Sequence, residues 1–227
     1  MIGYLLWVVV FEAVGRFAST LATTDVTFEA DRRIPFCAPL IWVYELCYLM
    51  PLLPVFLVHD WHRFNRLVLA FVLANVVACA AYLWYPVDFP HPVPGTDLSG
   101  RLVALEYSVD FHPGANHLPS LHVAVAWLVW LACLGRGTLR AVPLFSTAVA
   151  ISVATLLVKQ HVLVDVVGGI ALAPATWMVS GRLYPALVKE AGPREALGRV
   201  ARRAAVPALA VMAVMLASRA ALRAIWP

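Results

Sequence analysis

The feature that most constrains this chain is a series of apolar stretches, each roughly 20 residues long, separated by short polar segments. A helix of that length spans about 30 Å, the thickness of a bilayer's hydrocarbon core. Seven such stretches are read, at residues 1–22, 37–58, 65–86, 118–135, 141–158, 162–188 and 204–222. Lipid offers no hydrogen-bond partners to backbone N–H and C=O groups, so each stretch must be helical. A soluble domain is excluded on charge: only 13% of residues are charged, against about 25% in ordinary soluble chains. The first stretch, "MIGYLLWVVV", has no basic leader and no small-residue cleavage site, and reads as a retained helix, not a signal peptide. The last is Ala-rich and contains Pro207; it either crosses the membrane or lies partly in the interface.

Charge follows the spans. The loops after the second, fourth and sixth stretches carry Arg63, Arg66, Arg136, Arg140, Lys189, Arg194, Arg199, Arg202 and Arg203. The other loops and the C-terminus carry Arg32, Arg33, Arg101, Lys159, Arg219 and Arg223. This bias places the N-terminus and the first set of loops in the cytoplasm. It also accounts for the net charge of +4 without a nucleic-acid partner. The segment 189–203, "KEAGPREALGRVARR", reads as a cytoplasmic helix lying on anionic headgroups. Cys37, Cys47, Cys79 and Cys133 show no CxxC or Cys/His spacing and read as apolar packing residues.

Two stretches begin with histidine. "GANHLPSLHVAVAW" places His122 at the start of the fourth span, and "KQHVLVDVVGG" places His161 at the start of the sixth. Two crossings separate them, so both reach the same side of the membrane, predicted to be outside. Helix N-termini present unpaired N–H groups and a positive dipole end, which favours phosphate. Asn116, Pro119 and Ser120 read equally well as features of a helix start. His161 and Asp165 are four residues apart on one helix face. There a carboxylate can fix the imidazole tautomer and leave the other nitrogen as nucleophile or base, or the pair can simply pack helices. Gly168 and Gly169 allow close helix approach behind the pair.

Several other polar residues have plainer readings. His112, His117 and His122 recur every five residues, which is no helical face, and no metal-ligand motif is present, so no metal is expected. His59 and His62 beside Trp61 read as interfacial residues. Glu12 with Arg16, four apart, reads as a structural pair, and Glu45 as a buried structural acid. The longest loop, 87–117, holds Asp88, Asp97, Glu106 and Asp110.

"PSLHVA" followed by "KQHVLVDVVGG" resembles two of the three motifs of the type-2 phosphatidic acid phosphatase superfamily. Leu121 in the second motif, and "DRRIPFCAPLIWVYELCY" in the second span, resemble the branch containing inositol-phosphorylceramide synthases. The resemblance covers residues 28–180 and implies an all-α, six-helix integral membrane bundle with a seventh C-terminal helix as an open addition. It implies a catalytic membrane domain over 1–188, the basic interfacial segment over 189–203, and the C-terminal helix within 204–227. It further implies metal-independent phosphoryl transfer through a phosphohistidine. His161 is the nucleophile, Asp165 orients it, and His122 is the general acid. The family's third-motif Ser-Arg falls on Ala154 and Thr155, and its first motif is absent, with His91-Pro92 near the expected place. The phosphate-binding candidates are therefore Lys159, Ser120 and Arg101, followed by His91, Arg32 and Arg33.

The function expected is a lipid phosphatase acting on a lipid phosphate or phospholipid headgroup. One alternative is a transferase moving a phospho-headgroup to an alcohol acceptor; another is an inactive lipid-binding scaffold. A proton-relay transporter predicts matching broken helices in two halves, and no such repeat is present. No cofactor is expected; the expected partners are the lipid substrate, an alcohol acceptor in the transferase reading, and the bilayer. The expected location is the bacterial inner membrane, with the paired histidines on the extracytoplasmic side.

Overall fold

The computed structural model describes residues 10–11, 13–109, 116–134 and 138–188. The expected Glu12–Arg16 pair, His112, the interfacial segment 189–203 and the C-terminal helix lie outside the described residues. The chain is an all-α membrane protein with several apolar spans, and among the described residues the only extended pairing is a bridge between Thr24 and Val87. We number the helices α1 (residues 10–11 and 13–18), α2 (Glu29–Arg33), α3 (Ala38–Leu57), α4 (Trp61–Trp84), α5 (Leu98–Val109), α6 (Leu121–Cys133), α7 (Thr138–Leu157) and α8 (Leu163–Val188).

Three of these, α3, α4 and α8, are long and apolar enough to cross a membrane. α3 is a broken rod in which 3₁₀ turns begin at Ala38 and Met50. Pro39, Pro51 and Pro54 each occupy the first turn of a segment, where their missing N–H breaks no helical bond. α6 has 13 residues, roughly 20 Å of helix, too short to cross alone. It packs against α4, α7 and α8. Val123, Ala124, Ala126, Leu128, Val129 and Ala132 are fully buried, as expected for a helix apolar on every side.

The C-terminal end of α6 exposes carbonyls that lipid cannot satisfy. Arg63 supplies the donors: its Nε bonds Ala132 O at 2.5 Å, and its Nη2 bonds Leu131 O at 3.1 Å and Leu134 O at 2.6 Å. Arg66 donates to Trp177 O at 2.7 Å and stacks 3.9 Å over the Trp177 ring. α4 starts at Trp61, earlier than its hydropathy suggests, because Asp60 caps it by accepting from the His62 and Arg63 amides. Arg63 and Arg66 are thus helix residues committed to packing, not loop charges. His62 lies in the same first turn, with Nδ1 3.0 Å from Tyr184 Oη.

The long loop 87–117 contains a helix that its polar, turn-rich ends conceal. Asp97 begins α5, its Oδ1 accepting from the Gly100 amide at 3.3 Å. Val103 and Tyr107, four apart, face inward. Tyr107 Oη then donates to Val158 O at 2.5 Å, tying α5 to the turn after α7.

Candidate functional site

The site forms where α6 and α8 begin side by side. The Ser120 amide donates to Asp165 O at 3.0 Å, so the two N-terminal turns are in direct contact. Gly169 makes this approach feasible. A Cβ there would lie 2.5 Å from Ser120 O and 3.0 Å from Val123 Cβ. Ser120 is fully buried, and its Oγ accepts from the Val123 amide at 3.4 Å, which makes it the cap of α6.

From that junction a chain of polar groups runs through the two histidines. His161 Nδ1 lies 3.2 Å from Asp165 Oδ2, which also accepts from the Val162 amide at 3.2 Å. His161 Nε2 lies 3.3 Å from His122 Nδ1, and His122 Nε2 lies 3.3 Å from Tyr44 Oη on α3. With Asp165 ionised, one proton arrangement satisfies the whole chain. His161 Nδ1–H donates to the carboxylate, His122 Nδ1–H donates to His161 Nε2, and Tyr44 O–H donates to His122 Nε2. The lone pair on His161 Nε2 therefore faces His122.

Burial gives this arrangement its electrostatic character. His161 is 4% exposed and Asp165 is fully buried. His161 sits in the turn between α7 and α8, and desolvation holds its imidazole well below the usual histidine range, hence neutral. A neutral imidazole with one nitrogen occupied by a carboxylate has its second nitrogen available as a nucleophile.

An aromatic column extends the site. The buried His117 ring stands edge-on to His161, with centroids 5.6 Å apart. His117 also packs on Phe89 at 4.6 Å and on His91 at 6.0 Å, and His91 stacks on Tyr107 at 4.4 Å. An open hollow of about 530 Å³ lies beside this column, lined by Thr23, Asp25, Asp88, Phe89, Pro90 and His91. On the far side of His122, Tyr48 packs at 5.7 Å and donates to Glu106 Oε2 at 2.9 Å.

His117, His161 and Asp165 each offer a ligand atom within 4.8 Å of the others, the only such metal-competent group among the described residues. Ligands on one tetrahedral zinc are roughly 3.4 Å apart, and the group brings its atoms within 4.8 Å of one another. As it stands, the buried His117/His161/Asp165 group with its hydrogen bonds suits phosphoryl transfer.

The other cations read from the sequence have the following partners. Lys159 Nζ donates to Asp31 O at 2.8 Å. Burial lowers the Lys159 amine from its ordinary range, and Asp31 partly offsets this. Arg101 Nε bonds Thr96 O at 2.9 Å, at the start of its own helix. Arg33 pairs with Glu29 at 3.3 Å on an exposed face, and Arg32 is also exposed. His91 packs on His117, the ring that stands against His161.

Sequence reasoning missed Tyr44, His117 and Asp31. Tyr44 lies within "IWVYELCY", noted for its resemblance but given no role. His117 was weighed only as a member of a five-residue repeat. Asp31 was overshadowed by the two arginines that follow it.

A family model described as the PAP2 superfamily matches residues 6–179. No curated protein and no solved structure matches the chain.

Proposed function

The chain belongs to the PAP2, or type-2 phosphatidic acid phosphatase, superfamily, and on that footing we propose that it is a lipid phosphatase working through a phosphohistidine. The observation that carries this reading is the unbroken Asp165–His161–His122–Tyr44 chain.

His161 Nε2 attacks phosphorus while its Nδ1–H stays on Asp165, so the developing positive charge is met by a carboxylate. The P–O bond to the lipid breaks, and the leaving oxygen takes the Nδ1 proton of His122, which enters this step as imidazolium with its other N–H on Tyr44. The water oxygen then attacks phosphorus and gives a proton to His122, and the P–N bond breaks with its electron pair returning to His161 Nε2, releasing inorganic phosphate. The phosphoryl group and leaving oxygen take the place of the direct His122–His161 contact. In-line attack needs about 3 Å to phosphorus and a hydrogen bond of similar length to the leaving oxygen, so the rings part by several ångströms.

In this proposal the membrane domain spans residues 1–188, the site faces the extracytoplasmic side of a bacterial inner membrane, and α6 and α8 contribute N–H groups to the phosphate. The assay uses purified protein and labelled phosphatidic acid in micelles. The wild type is expected to release inorganic phosphate in the presence of chelator and to form an acid-labile phosphoenzyme, and His161→Ala to do neither. A folded His161→Ala protein with full activity refutes the mechanism. Adding inositol or diacylglycerol separates the acceptors: label recovered in a new lipid instead of free phosphate replaces the phosphatase reading with the transferase of the inositol-phosphorylceramide synthase-like branch.

A further inference from the structure

We propose that Asp31 is a positioning residue for His161, holding the catalytic turn at its two ends. This rests on His161 acting as the nucleophile.

The turn 158–162 has to leave α7, present His161 toward His122, and start α8 within a few residues. Val162 occupies the position before α8, and a valine has no side-chain oxygen with which to cap the helix. Two carboxylates, one from the first turn of α8 and one from α2, satisfy its leading amides instead. Asp165 Oδ2 takes Val162 N–H at 3.2 Å, and Asp31 Oδ1, from a helix 132 residues earlier in the chain, takes Leu163 N–H at 2.7 Å. An acidic group at a helix start is also favoured by the helix dipole.

Asp31 is well placed to hold rather than follow. It is 4% exposed, and its second oxygen accepts from the Phe28 amide at 2.9 Å, which fixes the carboxylate on α2. Its carbonyl takes the Lys159 amine at 2.8 Å. Lys159 has φ 57°, a backbone conformation uncommon for a side-chain-bearing residue, and the tether to Asp31 helps maintain it. One residue thus grips the turn at Lys159 and again at Leu163, with His161 between. The Cys37 amide bonds Leu157 O at 2.8 Å, so the stretch after α2 secures the end of α7 as well. In the "DRR" sequence the acid serves the site, and the two arginines face outward.

The experiment compares Asp31→Ala, Asp31→Asn, Arg32→Ala and Arg33→Ala in purified full-length protein. The first readout is deuterium uptake by peptides covering residues 158–166, which does not depend on the substrate. The second is hydrolysis of phosphatidic acid in micelles. Asp31→Ala is expected to raise exchange in that segment and to lower kcat roughly 10- to 100-fold, the cost of misplacing a reacting group by about 1 Å, with KM changed by less than about threefold. Asp31→Asn keeps an oxygen for Leu163 but turns an amide toward the Phe28 N–H, so it is expected to fall between wild type and Asp31→Ala. It also serves as the test if the alanine protein does not fold. The arginine variants are expected to match wild type in deuterium exchange over 158–166, since both side chains are exposed. Unchanged exchange in Asp31→Ala overturns the proposal, as does a loss expressed in KM alone. If wild-type protein releases no phosphate, the phosphatase reading falls and the exchange result alone decides the role of Asp31.

Discussion

Gly169→Ala tests whether the contact between α6 and α8 builds the site. The added Cβ would lie 2.5 Å from Ser120 O, 3.0 Å from Val123 Cβ and 3.2 Å from Val123 Cγ1. The nearest of these is a backbone oxygen and cannot rotate away. Restoring ordinary van der Waals contact requires the two helix starts to separate by roughly 0.9 Å. Alanine itself favours the helix by about 1 kcal/mol over glycine, whereas overpacking of this kind costs about 1–3 kcal/mol. Because the contact is with rigid backbone, the clash falls toward the upper end of that range, leaving a net destabilisation of up to about 2 kcal/mol. The effect on catalysis is larger in proportion, because Ser120 leads directly into His122 and Asp165 lies one turn before Gly169. A displacement near 1 Å lowers turnover by roughly 10- to 100-fold. Gly168→Ala is the internal control: its Cβ would meet Pro119 Cβ at 3.1 Å and the flexible Leu118 Cδ1 at 3.2 Å, contacts that yield more easily. Melting temperature in detergent and phosphatidic acid hydrolysis are the assays. A Gly169→Ala protein with wild-type melting and turnover, or a Gly168→Ala protein more impaired than it, refutes the reasoning.

Two further outcomes are expected. Tyr44→Phe removes the partner of His122 Nε2; a hydrogen bond worth about 0.5–1.5 kcal/mol corresponds to a two- to tenfold fall in kcat with folding retained, and unchanged turnover would remove Tyr44 from the chain. The buried His161 imidazole resists protonation in the folded state, whereas in the unfolded chain it titrates near 6.5. Its contribution to stability is therefore complete above about pH 6.5 and declines as the pH falls below it, because the unfolded state binds a proton that the folded state refuses. Melting temperatures across pH 4–8 (about that range suffices) should show this decline, with a shallower slope in His161→Gln; a steeper slope would reverse the assignment.

Membrane residence and the pairing of His122, His161 and Asp165 were legible in the sequence because they depend on local properties. Apolar length decides whether a segment crosses lipid. A spacing of four puts His161 and Asp165 on one face. The surroundings of each cation are set at longer range. Positive charge marks a candidate phosphate ligand, yet the sequence is silent on which carbonyl or carboxylate each side chain meets first. Arg63 ends on the carbonyls of α6, Arg101 on its own helix start, and Lys159 on Asp31. α5 was hidden because only Val103 and Tyr107 turn a buried face inward, too short a pattern to stand out within a polar loop.

The sequence by itself determined that one imidazole and a carboxylate share a helix face and that a second imidazole stands at the start of another apolar helix. Only the tertiary structure decided that Tyr44, His117 and Asp31 join them, since each comes from a separate element and none carries a local signal. Side-chain packing across 80 to 130 residues of chain sets which polar groups are buried together. Burial makes partners of these groups, joining His161 to Asp165 and His122, and Asp31 to the Leu163 amide.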